Sequence, residues 1–202
     1  MMPGYYPDAR WLVGGKRRCG ELRLVNRSNE IKLPSCFFPQ AIPLNAPLYT
    51  FGYEGLDIDT FMLRLRSNGV AAIVDVRELP LSRKKGFSKT ALAECLKQAG
   101  IAYLHMPALG CPKPIRNRYR EDGDWQTYTR DFLAYLETQE STVRQLAGFA
   151  QASTACLICF EADFNLCHRS YVAREVAHVG GLQVQHITAR TVVPDQPVRL
   201  AA

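Results

Sequence analysis

The sequence predicts an α/β domain over residues 47–190, a mainly parallel five-stranded sheet flanked by helices in three layers. Two nearly continuous apolar runs, Ala71–Val76 and Ala155–Phe160, have the composition of strands buried on both faces. Segments with the i, i+3, i+4, i+7 apolar spacing of one helical face alternate with such strands. Strand and helix in alternation imply right-handed crossovers and parallel pairing.

The elements follow in order. Leu48-Tyr49-Thr50-Phe51 is a short strand ending at Gly52, and Ile58, Phe61, Met62 and Leu65 form one face of a helix that Asp57 can cap and Gly69 can end. Residues 71–76 are the second strand. Ser88 suits the start of the next helix, with Phe87 placed to staple onto Leu92 and Gly100 to stop it. Ile101–His105 is the third strand. A long loop then leads to a helix that Asp124 can cap, with Trp125, Tyr128, Phe132, Tyr135 and Leu136 on its buried side. Another helix runs from Ser141 to about Ala152. Residues 155–160 form the fourth strand, a helix runs from His168 to Val179 before Gly180-Gly181, and Leu182–Ile187 is the fifth strand.

Composition narrows the class. Of 202 residues, 47% are hydrophobic and 22% charged, as in an ordinary globular chain. No window approaches the roughly 18 uninterrupted apolar residues that a membrane helix needs, and no apolar leader opens the chain, so a cytoplasmic protein without a membrane partner is expected. The seven cysteines are an odd number, scattered through helices, strands and loops, which favours reduced thiols. Residues 1–46 lack sustained periodicity and read as an irregular N-terminal extension; residues 191–202 read as a C-terminal tail. The extension carries seven basic side chains against three acidic ones, so most of the net charge of +6 lies outside the domain. Charge alone is therefore weak evidence for nucleic acid, and local clusters must decide.

In a parallel sheet ligands gather at the carboxyl ends of the strands, and there the unusual residues fall: Gly52-Tyr53-Glu54, Asp75 and Arg77, His105, Cys159 and Glu161. The run Cys156-Leu-Ile-Cys-Phe-Glu161 is followed by a polar loop and then by Cys167-His168-Arg169 in the first turn of a helix. Free N–H groups and the helix dipole favour an anion at such a start, Arg169 adds a forked donor, and the same field lowers the pKa of Cys167. In the structural alternative Cys167 packs, Arg169 pairs with Glu161 and His168 is incidental. His105 reads as structural more readily than catalytic, and His178 and His186 as ordinary helix and strand residues.

Several chemistries fit the spacing poorly. A cysteine-phosphatase loop needs Arg six positions after Cys, where Asn165 and Ala173 stand. Cys156 and Cys159 share a strand and cannot easily face one ion, so a zinc site with Cys159, Cys167 and His168 is disfavoured and neither metal nor cofactor is expected. A dinucleotide fingerprint, a phosphate-binding Gly-Lys-Ser/Thr loop and Gly-x-Ser-x-Gly are all absent. Two basic loops remain: Arg83-Lys84-Lys85, and Lys113, Arg116, Arg118 and Arg120 interleaved with Tyr119 in a segment of about 18 residues that reads as structureless.

From Thr50 to about Ile187 the chain resembles the uncharacterised family called domain of unknown function 488. The blocks that carry the resemblance are Phe51-Gly-Tyr-Glu-Gly55; Asp75-Val-Arg77 with Pro80 and Ser82; Leu96 to Gly110, including Gly100-Ile-Ala-Tyr-Leu-His105; and Cys159-Phe-Glu161 with Cys167-His168-Arg169. The resemblance implies an α/β fold and a shared site but no defined activity. The chain departs from the family pattern at Asp163-Phe-Asn-Leu, where a proline and charges are expected, and in its N-terminal segment.

These observations point to an enzyme, a hydrolase or transferase, acting on a phosphate-bearing small molecule, a nucleotide or a nucleic acid. Arg77 and Arg169 would clamp the anion, Glu161 would be the general acid or base, and His168, Cys167 or Cys159 the second proton donor or nucleophile. Tyr53, Asp75, Ser82 and His105 complete the expected binding set. The competing readings are a non-catalytic nucleic-acid-binding or sensing module on the same edge, and thiol or sulfur-transfer chemistry through Cys167.

Overall fold

The computed structural model describes residues 23–24, 31–32 and 46–196 of a chain that divides into two compact units, 1–38 and 39–202. In the first unit β1 (Arg23–Leu24) pairs antiparallel with β2 (Ile31–Lys32). The expectation of an irregular extension over 1–46 otherwise concerns residues outside the described ones, as does the end of the tail beyond 196.

The second unit is built on one sheet. Its strands are β3 (Leu48–Gly52), β4 (Ala72–Asp75), β5 (Ala102–His105), β6 (Ala155–Cys159), β7 (Val184–Ile187) and β8 (Val192–Pro194), in the order β5-β4-β6-β3-β7-β8. All pairings are parallel except that of β7 with β8. The expected α/β class is thus observed, with six strands rather than five. The missed strand, within residues assigned to a tail, is only three residues long and ends on Pro194. A proline is acceptable there because β8 lies at the sheet's edge.

Side chains alternate across the sheet, and each face has its own hydrophobic layer. Phe51, Ile73 and Ile158 face α1 (Ile58–Ser67) and α2 (Lys89–Gln98), whereas Leu48, Val74 and Leu157 face α4 (Trp125–Glu137), α5 (Glu140–Gln151) and α6 (His168–Gly180). Caps define these helices. Asp57 accepts from the Thr60 N–H at 2.7 Å, and Asp124 accepts from those of Gln126 and Thr127. Gly181, with φ +63°, ends α6 in the left-handed region. Ser88 holds the extended N-cap backbone of α2 without making the side-chain bond, so there the Phe87–Leu92 apolar contact does the work of the cap.

The segment after β5 corrects the expectation of an 18-residue structureless loop. It holds a short 3-10 turn, η1 (Pro107–Leu109), and the helix α3 (Lys113–Asp122), closed by Gly123 at φ +68°. No α3 residue is buried. Without a wide apolar stripe this helix leaves little periodic signal, although Ile115 and Tyr119 lean on the core.

β8 returns a buried polar chain to the centre of the sheet. The Asp195 carboxylate accepts from both Nε and Nη2 of Arg174 on α6 and from His186 Nε2 at 2.9 Å, and Thr50 of β3 donates to His186 Nδ1 at 2.8 Å. Phe164 stacks on the imidazole at 4.0 Å. His186, read from sequence as an ordinary strand residue, is therefore the fully buried hub of a network. Burial opposes ionisation of Asp195, but Arg174 and His186 outweigh it and hold its pKa below the usual carboxylate value. Burial also lowers the pKa of His186, an effect that Asp195 offsets only in part.

Both folded pKa values lie below the unfolded ones, so on acidification the unfolded chain takes up these protons first. The network's stabilisation is complete above the unfolded histidine pKa of about 6.5 and is lost as the pH falls, first through the histidine range and then through that of Asp195. Asp195→Asn should cost about 1.5–3 kcal/mol at pH 7, with about 2–4 °C of Tm lost per kcal/mol, and should flatten the acid limb of a Tm–pH curve. An unchanged Tm at pH 7 would contradict this account.

Candidate functional site

Parallel pairing brings the carboxyl ends of β3 to β7 to one edge, where Gly52 is in register with Cys159 and Asp75 with His105. β6, between β4 and β3, delivers Cys159 there and the chain continues to Glu161; α6 then begins at its N-cap, Cys167. The hydrogen-bonded ladder runs past the strands proper, with Tyr53 N–H donating to Cys159 O and Glu54 N–H to Phe160 O.

Four reactive side chains converge at this junction. The donor atoms of Cys159, Glu161, Cys167 and His168 all lie within 4.8 Å of one another. Cys159 Sγ donates to Glu161 Oε2 at 2.7 Å, and Cys167 Sγ approaches the same oxygen at 3.2 Å. His168 Nδ1 faces Cys159 Sγ at 3.6 Å and Cys167 Sγ at 3.9 Å. Its Nε2 lies 3.0 Å from Val76 O, and because a carbonyl only accepts, Nε2 carries the proton and Nδ1 points its other valence at the sulfurs. Phe132 packs edge-on against the ring at 5.5 Å. Both cysteines and His168 are buried, and only Glu161 is partly exposed.

The charges are strongly coupled. Burial, reinforced by Cys167 and Glu161, pushes the Cys159 thiol well above its usual pKa. Burial opposes the Cys167 thiolate too, but Cys159, Arg169 and His168 outweigh it, and Cys167 is the more acidic thiol. Burial and then Cys167 raise Glu161. Burial works against a charged His168, yet the contact with Cys167 raises its pKa.

The two arginines expected to clamp an anion are placed otherwise. Arg169 is fully buried, and its guanidinium donates to the main-chain carbonyls of Glu161 at 2.6 Å and Ala162 at 3.3 Å. It braces the turn between β6 and α6 through main-chain carbonyls, not through the Glu161 carboxylate. A helical residue so near in sequence to the turn can reach back to orphan carbonyls that no strand partner satisfies. Arg77 forms a two-pronged pair with the buried Asp75, at 2.8 and 2.5 Å, and donates to Tyr53 Oη and Phe87 O. Tyr103 completes the ring by donating to Asp75 Oδ2 at 2.6 Å. Asp75, Arg77 and Tyr53 thus form a closed structural network.

The remaining expected residues sit apart from the four-residue centre. His105 donates from Nε2 to Arg77 O and receives Lys89 Nζ at Nδ1, and Ser82 Oγ accepts the Lys84 N–H within its own turn. No metal was expected from the sequence. A set of two thiols, an imidazole and a carboxylate within one sphere is nevertheless a donor set able to hold an ion.

Gly52, placed by the sequence at the sheet's carboxyl edge but given no role there, is a determinant of the site. A Cβ built there would stand 1.8 Å from Glu161 O, the carbonyl that Arg169 holds. A glycine between the buried Phe51 and Tyr53 is the available signal, since glycine inside a strand marks close approach of another backbone. Val76, whose carbonyl orients His168, offered no signal, because only backbone atoms act.

Residues 57–176, more than half of the chain, match the family model described as Domain of unknown function DUF488, and the chain belongs to that family. The matched span contains all four residues of the centre together with Arg77 and Arg169, while Gly52 and Tyr53 precede it. No match is found among curated proteins or among solved structures.

The close approach at Gly52 gives a pair of opposite expectations. Gly52→Ala must displace the 161–162 backbone and should cost at least about 1–3 kcal/mol, the usual penalty for overpacking. Gly148→Ala, in α5 with nothing within 4 Å of the added carbon, should stabilise by about 0.5–1 kcal/mol. Denaturant melts of both variants check the account, which fails if Gly52→Ala is neutral.

Proposed function

We propose that this member of the DUF488 family is an enzyme whose proton carrier is Glu161, acting on a phosphate-bearing substrate, a nucleotide or a nucleic acid, at the carboxyl edge of the sheet. The observation that carries the reading is the position of Glu161. Its Oε2 bridges two buried sulfurs, and its side chain is the one member of the centre with a partial opening to solvent. A carboxylate so placed can exchange a proton with a bound reactant while the groups behind it stay dry.

The phosphate would be met by lysines rather than by the engaged arginines. Lys84, in the loop after β4, reaches past the end of β3 with its Nζ 3.3 Å from Tyr53 O, and the exposed Arg83 and Lys85 are beside it in sequence. The loop after β4 and the segment carrying α3 both leave the sheet from this edge, and α3 adds the exposed Lys113 and Arg120. Arg116 and Arg118 are less available, since each pairs with a carboxylate. Basic groups around such an edge raise the local concentration of anionic ligands.

The binding-only alternative finds support in α3 and α4, where Tyr119, Trp125 and Tyr128 cluster and Trp125 stacks on Tyr128 at 4.7 Å. Aromatic and basic groups together suit single-stranded nucleic acid.

A thermal-shift screen over nucleotides and short oligonucleotides, followed by product analysis, separates these readings. Lys84→Ala should weaken the best ligand about tenfold, the scale of one charge-assisted contact. Glu161→Gln should leave that affinity within about twofold while reducing turnover about 10²–10⁴-fold. Binding without any product in the wild-type protein would favour the non-catalytic module, and no binding in the whole panel would defeat both.

A further inference from the structure

We infer that Cys159, Cys167 and His168 form a binding site for one zinc ion, with Glu161 as an exchangeable fourth donor. The inference deepens the enzymatic reading and rests on it only for the use made of the ion; occupancy itself is measurable without turnover.

The geometry is the first support. For ordinary zinc–sulfur and zinc–nitrogen bonds, tetrahedral coordination sets the sulfur-to-nitrogen separation at about 3.5 Å. His168 Nδ1 stands 3.6 Å from one sulfur and 3.9 Å from the other. Glu161 Oε2, at 2.7 and 3.2 Å from the sulfurs, lies inside the corresponding separation of about 3.6 Å and must withdraw, by up to about 0.9 Å from Cys159, to take its place on the ion. All four donors point into one sphere, and two thiolates with an imidazole suit zinc better than magnesium or calcium.

Orientation of the imidazole is the second support. Ligating histidines commonly donate their other N–H to a carbonyl or carboxylate, which fixes the tautomer. His168 does this, with Nε2 on Val76 O at 3.0 Å. Nδ1, the nitrogen that would ligate, is thereby left with its lone pair toward the two sulfurs.

The charge at Arg169 is compatible with the ion. Arg169 is wholly buried and, among the described residues, forms no ion pair; its contacts are two carbonyls, and its Nε has no partner. An enclosed guanidinium requires a nearby negative charge. Two thiolates, a carboxylate and a divalent zinc together carry one net negative charge, and Arg169 adjoins them through the main chain of Glu161.

The two parts of the site have different access. Cys159, Cys167 and His168 are buried, so they would hold the ion, whereas the partly exposed Glu161 can yield its place to a water or substrate oxygen and then accept that oxygen's proton. Such an exchange reconciles a carboxylate that ligates at rest with one that carries protons during turnover.

The test uses the full-length chain, purified without chelators under reducing conditions. Elemental analysis should find about one zinc per chain, and protein stripped and reloaded with Co²⁺ should show tetrahedral d–d bands with thiolate-to-cobalt charge transfer. Cys159→Ser, Cys167→Ser and His168→Ala should each weaken zinc by about 100-fold or more, exceeding the usual loss from an outer-shell change. Cys95→Ser and Cys156→Ser, on the opposite hydrophobic layer, should keep one equivalent. Glu161→Gln should retain the metal with an altered cobalt spectrum. Melting of each variant in the stripped state, against stripped wild-type protein, separates loss of metal from loss of fold. Reduced wild-type protein that takes up neither zinc nor cobalt, or a cobalt spectrum lacking thiolate charge transfer, would overturn the inference even if Glu161 proved essential for turnover. Occupied zinc with an active Glu161→Gln variant would instead uphold the metal site and reject the enzymatic role of Glu161.

Discussion

The grip of Arg169 on the Glu161 and Ala162 carbonyls is the interaction on which the rest of the site depends. A buried central strand must hand the chain to a helix at the same edge, and the turn between them exposes carbonyls that neither element satisfies. Arg169, one residue inside α6, supplies the missing donors from the helix side. Its partners are backbone atoms, so it fixes the path of the chain whatever the loop residues are. The nearness of Cys159 and Glu161 to Cys167 and His168 follows from that path. Gly52 serves the same turn from the neighbouring strand by leaving the Glu161 carbonyl room to pass.

Around this turn the buried charges are arranged by two different rules. Asp75 and Arg77 neutralise one another, and Tyr53, Tyr103 and the Phe87 carbonyl take up their remaining bonds. That network is closed and leaves little for a ligand. The cysteine–histidine–glutamate cluster differs, since four donor groups face one another and, among the described residues, the neighbouring guanidinium has no carboxylate partner. The contrast separates a structural ion pair from a centre that can act on something else, although both lie at carboxyl ends of strands where perturbed groups collect.

Much of the architecture was legible in the sequence because it rests on local rules. Asp57 and Asp124 cap as their positions suggest, and Gly181 ends α6 where a left-handed residue was needed. The grouping of Cys159, Glu161, Cys167 and His168 was also readable, from a buried strand followed by a helix start. What escaped depends on distant or backbone partners. Nothing local distinguishes an arginine free to meet a phosphate from one that holds two carbonyls, so the partners of Arg77 and Arg169 could not be read from the sequence. α3 escaped because its surface placement removes the apolar period. β8 and the role of His186 escaped together, since one creates the other: a three-residue edge strand carries Asp195 to a histidine nine positions earlier.

The placement of Arg174 on α6 gives the helix a second anchorage. Its first turn is tied to β6 and, through His168, to the residue after β4, while Arg174 ties its middle to the strand pair at the far edge through Asp195. A helix fastened to opposite sides of one sheet cannot slide along its axis without breaking both attachments, so it behaves as a strut and not as a lever. Opening of the centre by local unfolding would have to loosen the distal edge as well, which makes the reactive cluster and β7–β8 parts of a single cooperative unit. Slow-exchanging amides belong along this strut, whereas the exposed Phe160 and Leu166 of the adjoining turn lie outside it.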